Sequence, residues 1–169
     1  MNLSKWLICL PLILLASCDK GIAPVSDNID PGFSGIITFE GDWPVNVTAT
    51  HLVLFKDPLL SEADFSADNL IYISEAIPYG VQEYNYNTLE NALLGNVVPG
   101  TYAYLAVAQT TSIFISLERK AWKVAGVYYN NGDTSSPGQL FIPENTFVTG
   151  VNITCDFNNP PEQPPGGSK

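Results

Sequence analysis

The chain has 169 residues, 46% apolar and only 14% charged, which fits one globular domain and excludes a disordered chain. Seventeen acidic side chains against seven basic ones leave a net charge of −10. Such a surface repels phosphate backbones, so no nucleic-acid partner is expected.

Met1 to Ser17 has the three parts of an export signal. Lys5 supplies the positive start, Leu7 to Leu15 forms an apolar run broken by Pro11, and the small residues Ala16 and Ser17 follow. The run is shorter than the roughly 20 residues a spanning helix needs. The competing reading is an ordinary signal peptide with an incidental cysteine after it. Leu15-Ala16-Ser17-Cys18 resembles the bacterial lipobox, in which the cysteine is acylated and becomes the new N-terminus. That resemblance implies palmitate-class acyl chains on Cys18 and attachment to a membrane of the bacterial cell envelope, the outer rather than the inner. It leaves the periplasmic and surface faces equally open. Two or more chains on one residue anchor stably where a single chain does not. Removal of residues 1–17 also removes Cys9, and Cys155 then has no disulfide partner.

Residues 18–32, with Pro24, Pro31 and no period, read as the acylated cysteine and a flexible tether. The domain is expected over 33–157 as short apolar-patterned runs separated by turn residues. Phe33–Glu40 places Phe33, Ile37 and Phe39 on one face. Ala49–Lys56 is apolar enough for a central strand. Asn69–Ser74 is short and suits an edge, and Gln82–Tyr86 is a weak strand. In Thr101–Gln109, Tyr102, Tyr104, Ala106 and Ala108 alternate with Ala103, Leu105 and Val107. Lys120–Tyr129 and Gln139–Ile142 flank a turn-rich loop, and Gly150–Phe157 puts Val151, Ile153, Cys155 and Phe157 on one face. Residues 158–169, with four prolines and two glycines, read as a disordered tail. The sum is an all-β, two-sheet antiparallel sandwich of about seven or eight strands with no long helix in the mature domain.

Val98-Pro99-Gly100-Thr101-Tyr102 resembles the step that feeds a strand in transthyretin-like and carboxypeptidase-regulatory-like domains. Pro99 fixes φ at the turn, Gly100 is free to take a positive φ, and the Tyr102 ring is expected over the turn. Gly35–Phe39, Gly126–Tyr129 and the closing Cys155-Asp156-Phe157 are similar in kind. Two departures stand out: the first strand is followed by Glu40-Gly41-Asp42-Trp43-Pro44, and the Lys56–Thr101 segment is long. The resemblance implies a non-catalytic binding or supporting β-sandwich, and it transfers no catalytic residue.

The residues themselves supply little catalytic chemistry. His51 is the sole histidine and shares a strand face with Val53 and Phe55. A zinc site needs three or four His or Cys ligands, and a Ser or Cys nucleophile would have only this one base. Cys155 alternates with apolar neighbours and has Asp156 beside it, the wrong sign for a low-pKa thiol. The carboxylates Glu62, Asp64, Asp68, Glu83 and Glu90 lie in loop-like stretches whose spacing fixes no glycosidase pair.

Asn130, Asn131 and Asp133 form an oxygen-rich loop that would supply some calcium ligands, though a plain turn uses the same residue types. Calcium is thus the one cofactor considered, and no metal site is assigned. The aromatics Trp43, Tyr79, Tyr84 and Tyr86 are the candidates for holding a ligand or partner by stacking. Residues 112–117, an apolar stretch, would cover an open core end or meet a partner. The expected function is a lipid-anchored, non-catalytic module that binds a protein or glycan. The alternatives are a structural spacer or assembly subunit of the envelope and, last, a hydrolase of envelope polymers.

Overall fold

Period-two patterning gives each strand one face to bury, and two such faces pressed together make a core. In the computed structural model, which describes residues 28–114 and 116–166, the chain does this with ten strands. They are β1 (Gly32–Glu40), β2 (Ala49–Lys56), β3 (Leu70–Ser74), β4 (Glu83–Asn87), β5 (Ala92–Leu94), β6 (Gly100–Thr110), β7 (Lys123–Val127), β8 (Leu140–Ile142), β9 (Phe147–Val148) and β10 (Ile153–Asp156). Helical structure among the described residues is confined to short 3₁₀ turns. Cys18 and the expected export segment, residues 1–17, lie outside the described residues.

The protein is an all-β, two-sheet sandwich. One sheet has the order β10-β1-β4, with β9 also on β1; the other runs β5-β3-β2-β6-β7, with β8 also on β6. The strand count exceeds the expected seven or eight because β5 and β9 are three- and two-residue pieces with no readable period. β3 is not an edge strand: β5 pairs beyond it, and Tyr72 at its centre is fully buried.

The expected antiparallel pairing holds for β1 with β4 but not for β9 and β10, which both run parallel to β1. Gly32 faces Phe147 and Ile37 faces Ile153, so the register slips by one residue between the two pieces. In effect β9 and β10 form one interrupted partner of β1. The interruption is held by Asn152, whose Oδ1 accepts from the Ile36 N–H at 2.9 Å in place of a strand carbonyl. Gly35 makes room for it, since a Cβ there would overlap the Val151 carbonyl.

Between the sheets lies the main core: Phe33, Ile37 and Phe39 from β1, Leu52 and Leu54 from β2, and Cys155 from β10. A second cluster, Tyr104, Ala106, Val124 and Val127, lies on the outer face of the larger sheet. The expected alternation in β6 therefore breaks. A bulge opposite Phe55 and Lys56 sends Tyr102 inward and leaves Tyr104 outward. A second irregularity between Val107 and Ala108 turns both Ala125 and Gly126 of β7 inward.

The outer cluster is roofed by residues 57–70, 116–122 and the proline-rich segment after β10. That segment, read as a disordered tail, is corrected for residues 158–166. The Gln163 amide accepts from Val124 N–H at 2.8 Å and donates to Val124 C=O at 2.9 Å, which pairs it with the edge of β7. A side chain thus does what a neighbouring strand would do, a possibility that backbone propensity does not register.

Candidate functional site

The end of β1 builds an aromatic groove. Gly41, at φ +83°, turns the chain out of the strand and delivers Trp43 back over Phe39, with ring centroids 4.5 Å apart. Phe157, just beyond β10, lies 5.2 Å from the same indole and Tyr79 lies 5.1 Å from it. The Trp43 Nε1–H donates to the Val81 carbonyl at 3.0 Å, which fixes the ring plane. Tyr79 is 57% exposed, and its hydroxyl reaches only to 3.5 Å from the Trp43 and Pro44 carbonyls. Thr38, Asp42, Gln82 and Glu83 border the groove beside Trp43, and among the described residues no basic one lines it.

So two of the four predicted aromatics, Trp43 and Tyr79, meet at one place. The other two do not. On β4, Tyr84 and Tyr86 point inward while Glu83 and Asn85 face solvent. Tyr86 is 3% exposed; its hydroxyl donates to the Val151 carbonyl and its ring stands edge-on to Phe33 at 5.8 Å. Tyr84 packs against the main core, and burial, then Glu75, pushes its phenol upward. Strand parity pairs Tyr84 with Tyr86, and the inner side of β4 decides both as packing residues.

The 130–136 loop closes on itself. Asn130–Gly132 is a 3₁₀ turn, and the Asn130 amide donates to the Gln139 carbonyl at 3.1 Å. Hydrogen bonds from the Ser135 hydroxyl and then from the Ser135 N–H, the latter to Oδ1 at 3.0 Å, hold the Asp133 carboxyl below the usual range. The side chain of Asn131 lies outside what the structure describes. Among the described residues no three His, Cys, Asp or Glu side chains converge as a metal cluster would require.

His51 is 2% exposed. Its Nδ1 meets the Ser74 carbonyl at 2.8 Å, and a carbonyl only accepts, so Nδ1 carries the hydrogen. Nε2 is buried without a partner, beside Trp122 at 5.8 Å between rings. Cys155 is fully buried and burial drives its thiol far upward. Asp64 accepts from Leu60 N–H, Ser61 N–H and the Ser61 hydroxyl, which lowers its pKa and shapes the loop over the outer face.

The feature that sequence reading missed is on the outer face of the larger sheet. An apolar cavity lies under the roof, walled by Val53, Phe55, Phe65 and Trp122, and Arg119 borders it. The residues converge from β2, the 57–70 segment and the 116–122 turn, so no local pattern announces them. The one available signal is that Arg119 is the only arginine in the sequence. The apolar stretch before it divides: Ile113 and Phe114 are 87% and 81% exposed, while Ser116 and Leu117 line the cavity.

Comparison with known proteins returns no matching family, no matching curated protein and no matching solved structure.

Proposed function

We propose that the protein is a lipid-anchored, non-catalytic binding module of the bacterial cell envelope, held through acylated Cys18, that takes a carbohydrate chain in the groove at Trp43. The observation that carries the reading is a fixed indole lining the groove with an exposed phenol 5.1 Å from it, the groove bordered by carboxylate, amide and hydroxyl side chains. Sugars present an apolar C–H face and a ring of hydroxyls, which aromatic faces and planar polar groups match. The acidic border and lack of basic residues favour neutral or amino sugars over uronic acids. The turn at Pro99-Gly100 and the sandwich are compatible with a transthyretin-like module. There, the Tyr102 hydroxyl donates to the Val98 carbonyl at 2.6 Å, which folds the ring back over the turn.

Binding to immobilised neutral and amino-sugar oligosaccharides tests it. Tyr79→Ala with Gln82→Ala should weaken retention by about tenfold at unchanged melting temperature, since each is exposed or at the border. Undiminished retention would remove the groove from the proposal. Mass spectrometry of the exported protein tests the anchor: acyl chains on Cys18 are expected, and a full-length unacylated product would sink it.

A second reading, an envelope assembly subunit, is favoured by one observation, the exposed Ile113 and Phe114. A photo-reactive residue at position 114 would then crosslink to one protein in intact cells.

A further inference from the structure

Among the described residues Arg119 is a cation without a counter-charge, in an acidic protein. The chain carries seventeen carboxylate side chains, yet the one ion pair among the described residues joins Lys120 to Glu118. Arg119 instead donates from Nη1 to the Trp122 carbonyl at 2.6 Å and from Nη2 to the Pro164 carbonyl at 3.1 Å. Its Nε–H is buried with no acceptor among the described residues. A guanidinium is a rigid fork of five donors, and two neutral carbonyls leave it short of both hydrogen bonds and charge. Partial burial makes that shortfall costly, and desolvation pulls its pKa below the ordinary value.

The space beside it is apolar. Val53, Phe55, Phe65, Ile73 and Trp122 form the walls, and among the described residues no acidic one lines the cavity. The cavity measures about 60 Å³. Since one water-sized group takes roughly 10–15 Å³ on that measure, it accommodates about four to six such groups. A short hydrocarbon body fits; a full-length acyl chain does not. The roof includes Pro164, whose carbonyl is one of the two acceptors now used by Arg119, so an arriving anion would replace a neutral acceptor with a charged one.

We propose that this outer-face cavity is a binding site for a small apolar carboxylate, its hydrocarbon body between Phe55, Phe65 and Trp122 and its carboxylate on Arg119. The site lies apart from the Trp43 groove: none of its lining residues belongs to that groove, so the two readings stand or fall separately.

Calorimetric titration of the exported domain with hexanoate, 1-hexanol and hexylammonium decides it. Hexanoate should bind about tenfold more tightly than hexanol, hexylammonium should not bind, and Arg119→Met should erase the hexanoate advantage. Ala67→Trp, at an exposed position lining the cavity, should block hexanoate and leave the fold unchanged by circular dichroism. Equal affinity for hexanol and hexanoate overturns the proposal, as do a preference for hexylammonium, no heat at millimolar hexanoate, or undiminished binding in Ala67→Trp. Should Arg119→Met fail to fold, the three ligands on the parent protein and on Ala67→Trp give the answer alone.

Discussion

Gly126 of β7 faces Cys155 of β10 across the sandwich so closely that a methyl group at position 126 would lie 2.5 Å from the sulfur. The two sheets touch there because one residue has no side chain. Gly126→Ala should lower stability by about 1–3 kcal/mol through overpacking, read as a shift of the urea midpoint. Pairing it with Cys155→Ala should recover part of that loss, since the second change removes the nearest clashing atom and leaves the Thr154 carbonyl at 2.9 Å. The Cys155 thiol, held protonated by burial, should react with a thiol reagent only as fast as the protein opens.

Tyr86→Phe removes the hydroxyl that donates to the Val151 carbonyl in the gap between β9 and β10. A buried carbonyl would be left without its donor, at a cost of about 1–3 kcal/mol. Equilibrium unfolding should show the loss, while retention on immobilised sugars should not change.

Alkaline pH should unfold the protein through its buried phenols. Burial raises Tyr86 and Tyr104 far above the unfolded-state value, so the folded protein favours their neutral forms. Their contribution is complete below pH of about 10 and is lost as pH rises, at up to about 1.4 kcal/mol per pH unit for each phenol. Urea midpoints measured from neutral to alkaline pH should fall above that point. Tyr104→Phe should make the decline shallower.

Gln163 acts on the Val124 backbone through both ends of its amide. Gln163→Ala should cost about 0.5–1.5 kcal/mol and raise amide exchange at Val124 selectively. Unchanged exchange there would show that the segment after β10 does not protect the strand edge.

What the sequence revealed and what it hid have physical causes. The strict alternation of Val151, Ile153 and Cys155 marks a buried face, and all three are buried. In β6 the same argument failed at Tyr102 and Tyr104, because a bulge adds one residue and reverses parity without altering composition. The parallel run of β9 and β10 was hidden because direction is set by where the chain crosses between sheets. Trp43 and Tyr79 were readable as unplaced aromatics; that they meet depends on the turn at Gly41. Arg119 drew no notice, since a lone arginine becomes informative only when the space around it holds no carboxylate.

Strand β1 has a direction, and it sets the geometry of the whole proposed assembly. The chain enters the sandwich at Gly32 and leaves the strand at Glu40, beside Gly41 and Trp43. Those nine residues span roughly 27 Å from one pole of the domain to the other. A molecule moored at Cys18 would join its tether at the Gly32 end of β1, the end away from the aromatic groove. On the proposed reading, β1 would act as a standoff, setting the Trp43 groove a strand's length from the point where the tether joins the domain.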